Sequence, residues 1–140
     1  METMTIQEWK KRREALPSDK RPKKRGRVEE YLQEACVTYM NLQYPNILCI
    51  HIPNGGLRDK YTAKILKTMG VVAGAPDLFI FKPNRDYHGL AVELKTKVGK
   101  LTPKQKEFMA KLENNGYKYK IVRSVMQFIE EVDRYLSKKF

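Results

Sequence analysis

The 140 residues carry 28 Lys and Arg against 16 Asp and Glu, a formal net charge of +12, and with 41% hydrophobic residues they can fill one modest core but hardly two. No apolar run approaches the ~20 residues needed to cross a bilayer, and the N-terminus lacks the apolar stretch and small-residue cleavage site of a secretory signal, so a cytoplasmic or nucleoid-associated setting is expected. The charge calls for a polyanionic partner; nucleic acid is preferred over an acidic membrane, because Trp9 to Leu16 matches a membrane-surface helix only faintly.

Residues 1–26 hold Lys10-Lys11-Arg12-Arg13 and Lys20-Arg21-Pro22-Lys23-Lys24-Arg25-Gly26 with little apolar periodicity. They read as a flexible basic arm, leaving 27–140 as the domain. Val28, Leu32, Ala35, Cys36, Tyr39 and Met40 then fall on one helical stripe, closed by Tyr44-Pro45. Ile47 to Ile52 is a short strand ending at the turn Pro53-Asn54-Gly55-Gly56, and Asp59 to Met69 forms a second helix stopped by Gly70. Two strands follow, Asp77 to Lys82 and Gly89 to Lys95, joined by residues 83–88, whose Pro, Asn and Asp favour a hairpin.

Thr102-Pro103-Lys104-Gln105 is a capping box with proline at the first helical position, opening a helix that runs to Asn115 and stops at Gly116. Tyr117 to Arg123 is a further strand. Ser124 with Gln127 starts a last helix with Val125, Phe128, Ile129, Val132 and Leu136 on its apolar side. The strands before Thr102 and after Gly116 flank a helix and should run parallel. An α/β fold is expected, a mixed central sheet flanked by helices. Cys36 and Cys49 lie in apolar segments without zinc-ligand spacing and read as reduced thiols.

Alternation along the second hairpin strand puts Leu90, Val92 and Leu94 on one side and Ala91, Glu93 and Lys95 on the other. A hairpin brings Asp77, at the start of the partner strand, close to Glu93 and Lys95. Two carboxylates suit a hard cation such as Mg²⁺ or Mn²⁺, which lowers the pKa of a bound water, and a lysine beside them stabilises charge on a phosphate. Each part alone is ordinary: Glu93-x-Lys95 is a common solvated pair, and Asp77 after Pro76 simply starts a strand.

The order Gly74-Ala75-Pro76-Asp77, strand, hairpin, Glu93-Leu94-Lys95, capped helix resembles the PD-(D/E)XK nucleases, and specifically their VRR-NUC branch. Pro53-Asn54-Gly55-Gly56, Gly70-Val71 and Leu101-Thr102-Pro103 with Gln105 strengthen the likeness, which spans about Arg27 to Tyr135. The resemblance implies a restriction endonuclease-like core, with Asp77 and Glu93 as metal-binding acids, the Leu94 carbonyl as a backbone ligand, Lys95 as the catalytic lysine and Gln105 as the motif glutamine. Gln105 also has an adequate job in its capping box.

The family further places a glutamate on the first helix, where Glu29, Glu30 and Glu34 compete. At 100° per residue Glu29 lies roughly 70° from the centre of the apolar stripe, while Glu30 and Glu34 lie on the solvent side, so Glu29 is preferred. Gln33 shares its flank. Asn54, Gly55, Gly56, Arg58 and Lys60, with Lys64, Lys97, Lys100 and Lys104, are the expected DNA-backbone contacts. His51 is expected to make an ordinary strand hydrogen bond. The resemblance implies a DNA endonuclease, rather than an exonuclease, of phage or bacterial origin in DNA repair, acting in the host cytoplasm as a homodimer on branched or flapped DNA. A basic nucleic-acid-binding module without catalysis is the alternative.

Overall fold

The computed structural model describes Thr5, Gln7, Glu8, Lys11 and residues 26–53 and 59–139. Most of the basic arm, and Asn54, Gly55, Gly56 and Arg58, lie outside them. Within the arm, the Thr5 hydroxyl accepts from the Glu8 N–H at 3.2 Å and the Glu8 carboxylate accepts from the Thr5 N–H at 2.7 Å, a reciprocal helix start.

From Gly26 onward the described residues form four helices and four strands: α1 (Gly26–Gln43), β1 (Cys49–His51), α2 (Lys60–Thr68), β2 (Leu78–Ile80), β3 (Leu90–Leu94), α3 (Pro103–Asn114), β4 (Lys118–Val122) and α4 (Val125–Ser137). The sheet order is β1-β2-β3-β4. The first two pairings are antiparallel and β3 with β4 is parallel, α3 forming the crossover. The strands are shorter than the sequence pattern suggests, although Ile52 N–H to the Asp77 carbonyl and Phe81 N–H to the Leu48 carbonyl carry the β1/β2 ladder one step further at each end.

Alternation gives the sheet two unlike faces. Leu78, Ile80, Leu90, Val92, Leu94 and Val122 pack with Leu32, Cys36, Tyr39 and Met40 of α1 and with Val125, Phe128, Ile129 and Val132 of α4. Phe79, Ala91 and Tyr119 face the other way, against Leu101, Met109 and Leu112. α1 ends because the residue before Pro45 is pushed out of the helical region, and it is tied to α4 by the Tyr39 and Tyr44 hydroxyls, both donating to Asp133 Oδ1 at 2.6 Å. Cys36 and Cys49 are free thiols, and burial pushes Cys49 up to about 11.

Two expectations need adjusting. On α4 the buried position of the last turn is Tyr135, with Leu136 only partly covered. A 3.6-residue period allows either, and Tyr135 goes inside because its hydroxyl finds the Lys82 carbonyl at 2.6 Å, so burying the ring strands no polar group. Val28 heads the predicted stripe of α1, yet it is exposed, and the buried run of the helix begins one turn later at Leu32. The 83–88 connection is held by Asn84, whose Oδ1 accepts from Asp86 and Tyr87 N–H and whose Nδ2 donates to the Tyr135 carbonyl.

Candidate active site

The β2/β3 register pairs Leu78 with Val92, so the next residue outward, Asp77, stands opposite Glu93 on the face covered by α3. Asp77 Oδ2 accepts from the Leu94 N–H at 2.7 Å. This bond replaces the ladder bond that β2 is too short to make, and the Asp77 carboxylate also meets that of Glu93.

Leu94 turns its N–H toward β2, and its carbonyl points the same way. One step further along the register the residue opposite would be Pro76, which has no N–H to give. Among the described residues no backbone hydrogen bond outside the regular elements ends on the Leu94 oxygen. A strand-end carbonyl is thus left beside two carboxylates, and a proline at 76 has no N–H with which to claim it.

Glu93 is only 3% exposed, so it is no solvated strand residue. Its Oε1 accepts from Gln105 Nε2 at 2.8 Å and lies 3.4 Å from Lys95 Nζ; its Oε2 faces the Tyr119 hydroxyl at 3.5 Å. Burial first, then the Asp77 carboxylate, push Glu93 up to about 7, against the lowering pull of Lys95. The same burial and the two acids push the Tyr119 phenol up. A desolvated carboxylate beside a second carboxylate is stabilised by an added cation. With the Leu94 carbonyl these are the all-oxygen donors a hard divalent ion takes, so the residues fit one.

Gln105 performs both jobs that the sequence allows it. Its Oε1 accepts from the Thr102 N–H at 2.9 Å and its backbone N–H donates to Thr102 Oγ1, completing the capping box. Its Nε2 is then aimed at Glu93. An amide can do this because it carries an acceptor and a donor on one group.

Gly74 sits at φ +86°, and a Cβ there would lie 2.4 Å from the Lys104 carbonyl carbon and oxygen. The loop that delivers Asp77 therefore rests directly on the first turn of α3. Arg123 braces the loop after Lys95, its Nη1 donating to the Thr96 and Gly99 carbonyls at 2.6 and 2.7 Å. Neither role is visible from spacing alone, since both depend on contacts between distant segments. His51 makes the expected hydrogen bond, and its partner is informative: Nδ1 lies 2.8 Å from the Asp77 carbonyl.

Asp77, Glu93, Lys95 and Gln105 are thus brought together. Glu29 is exposed near the start of α1. Relative to the buried Leu32, Cys36, Tyr39 and Met40, it projects about 35° from their mean direction, against roughly 135° for Glu30 and 175° for Glu34. Among the described residues no third carboxylate, histidine or cysteine joins the acidic pair in a metal-sized cluster. Lys60, Lys97, Lys100 and Lys104 are exposed, as backbone contacts would need to be; Lys104 pairs with Glu107 at 3.7 Å.

The family model of the VRR-NUC domain matches residues 23–126. This chain belongs to the VRR-NUC family. A solved structure described as "VRR_NUC domain protein" is 27% identical, covering 79% of this chain and 89% of that one with a TM-score of 0.68. No curated protein matches. The VRR-NUC assignment makes this a nuclease-type domain of the PD-(D/E)XK class, and its mixed sheet with flanking helices is the restriction endonuclease-like α/β fold. None of the helices among the described residues is long and apolar enough to cross a membrane.

Proposed function

We propose that this VRR-NUC domain hydrolyses DNA phosphodiester bonds with the help of Mg²⁺ or Mn²⁺, held by Asp77, Glu93 and the Leu94 carbonyl, with Glu29 as the helix-one acid. The observation that carries the reading is Glu93: a carboxylate buried opposite Asp77, with Lys95 at 3.4 Å. Such a pair costs stability without a cation to neutralise it, and structural cores rarely retain that arrangement unless chemistry uses it. The bound cation would supply Lewis acidity at the phosphate and a more acidic water.

The chain's own residues do the rest. Gln105 and Tyr119 orient Glu93; the Leu94 N–H and the strand register orient Asp77. Lys95 Nζ lies 3.4 Å from Glu93 Oε1, where it can hold the attacking water or meet charge growing on the phosphate oxygens. Lys60, Lys97, Lys100 and Lys104, with Asn54, Gly55, Gly56, Arg58 and the basic arm, hold the backbone through contacts that are sequence-independent and salt-sensitive. Internal cleavage of branched or flapped DNA by a homodimer is the finer form of the proposal.

The test is a cleavage panel with linear, branched and flapped DNA in Mg²⁺, Mn²⁺ or EDTA. Wild-type protein should cut only with a divalent ion. Asp77→Ala and Lys95→Ala should abolish cutting and leave DNA affinity nearly intact. Metal-dependent cutting by the purified double variant would sink the site assignment, and salt-dependent binding with no cutting of any substrate would favour a binding module.

A further inference from the structure

A cleft of about 1000 Å³ opens between α2 and α3, on the side of the sheet that α3 covers. Neither helix buries a single residue. The floor is apolar, with Leu66, Phe108, Leu112 and Tyr117, while Lys67 on one wall and Lys104 and Lys111 on the other form its rim. Glu107, the acid of the lining, is shared between Lys104 at 3.7 Å and Lys111 at 3.4 Å, so the rim stays net positive. Lys60 and Lys64 continue the lysine stripe of Lys67 along α2 at helical spacing.

The cleft and the active site share the first turn of α3. Lys104 precedes Gln105, which holds Glu93, and the lining residues Val71, Val72 and Ala73 lead straight into Gly74, packed on the Lys104 backbone. An occupant reaching from the acidic pair into this cleft needs negative charge for the rim and flat apolar groups for the floor. Duplex DNA offers the charge but keeps its bases stacked inside. A second copy of a +12 chain would meet a rim of its own sign. Unpaired nucleotides satisfy both demands, because exposed bases stack on aromatic side chains while phosphates meet lysines.

We propose that the cleft receives a single-stranded segment of the DNA substrate, its bases entering between α2 and α3 beside the site of cleavage. The proposal rests on the DNA-hydrolysis reading for the identity of the substrate. It makes Phe108 and Tyr117 stacking residues, with Lys67 and Lys111 their phosphate partners.

The test measures fluorescence anisotropy of a labelled oligo(dT) and of a blunt duplex in EDTA, where binding is separated from cleavage. The quantity read is the ratio of single-strand to duplex affinity, which cancels the general effect of charge. Phe108→Ala should lower that ratio about tenfold and Phe108→Tyr should restore it. Lys67→Gln with Lys111→Gln, both exposed and outside the core, should lower it about threefold. Equal losses on the two ligands, or an unchanged ratio in the lysine double variant, would overturn the proposal. So would self-association that disappears in the variants while single-strand affinity survives, since the cleft would then hold a second copy. A wild-type protein that fails to cut in Mg²⁺ or Mn²⁺ refutes the hydrolysis reading separately.

Discussion

Gln105 Nε2 donates to Glu93 Oε1 at 2.8 Å while its other amide atom closes the capping box of α3. The start of a helix and the orientation of a buried acid are thereby fixed by one side chain. Glutamate is an equally good third residue of a capping box, but here it would bring a carboxylate against Glu93. Gln105→Glu should therefore keep the α3 cap, worth about 1 kcal/mol, and still lose cleavage by roughly tenfold or more through like-charge repulsion. Gln105→Ala should lose both. Steady-state kinetics with a melting curve separates them, and a fully active Gln105→Glu protein would show that the contact does not matter to catalysis.

The pH dependence of stability follows from Glu93. Its carboxyl is pushed up to about 7 in the metal-free fold from an ordinary value of 4.5. The folded state therefore binds the proton more tightly than the unfolded chain. The stability associated with the protonated acid is fully present below about pH 4.5 and is lost as pH rises to about 7. Glu93→Gln does not titrate, so its metal-free stability should stay level across that window and exceed the wild type at pH 8 by up to roughly 3 kcal/mol. Divalent ion should stabilise the wild type and leave the variant unmoved. Urea unfolding at several pH values, with and without Mn²⁺, checks both statements.

Two glycines with positive φ make an internal control. Gly70 has φ +102° with nothing within 4 Å of where a Cβ would stand, whereas at Gly74 the added carbon would strike the Lys104 backbone at 2.4 Å. Gly70→Ala should cost about 1–2 kcal/mol from the left-handed backbone alone. Gly74→Ala adds a clash that only a shift of the loop can relieve, so it should cost more and also displace Asp77. Comparable losses of stability and activity in the two variants would remove Gly74 from the support of the site.

Much of the fold follows from local signals. The capping box of α3, the Ser124 N-cap of α4, the Asx-type connection between β2 and β3, and the alternation of Leu90 to Leu94 are short-range patterns, and they place the elements within a few residues. The second half of the box expected at Ser124 does not form, because Gln127 Oε1 accepts from the Arg123 N–H instead. The alternation also separates Glu93 and Lys95 from the α1/α4 core. It does not reveal that Glu93 is buried, because that depends on α3 folding back over the second face. Tyr135 and Leu136 are adjacent candidates on one helical face, and only the Lys82 carbonyl distinguishes them. Tyr119 and Arg123 escape notice for the same reason, as does the packing of the motif residue Gly74 on Lys104: each acts on a partner more than twenty residues away.

Pro76 gives the last prediction. Asp77 directs its carbonyl to β1, accepting from the Ile52 N–H, so extending the β2/β3 register two steps beyond Leu78 and Val92 would turn residue 76 toward β3 and the Leu94 carbonyl. In Pro76→Ala a new N–H is presented to that carbonyl, and a ladder bond there would compete with its use as a ligand. The fold should survive, since alanine tolerates extended backbone. Affinity for Mg²⁺ or Mn²⁺ should fall about tenfold, the lower end of the effect of altering groups that support a ligand, with Asp77 and Glu93 both intact. Titration calorimetry on the wild type and Pro76→Ala reads this directly. Unchanged metal affinity would mean that the Leu94 carbonyl is not a ligand and that the proline serves only to end β2.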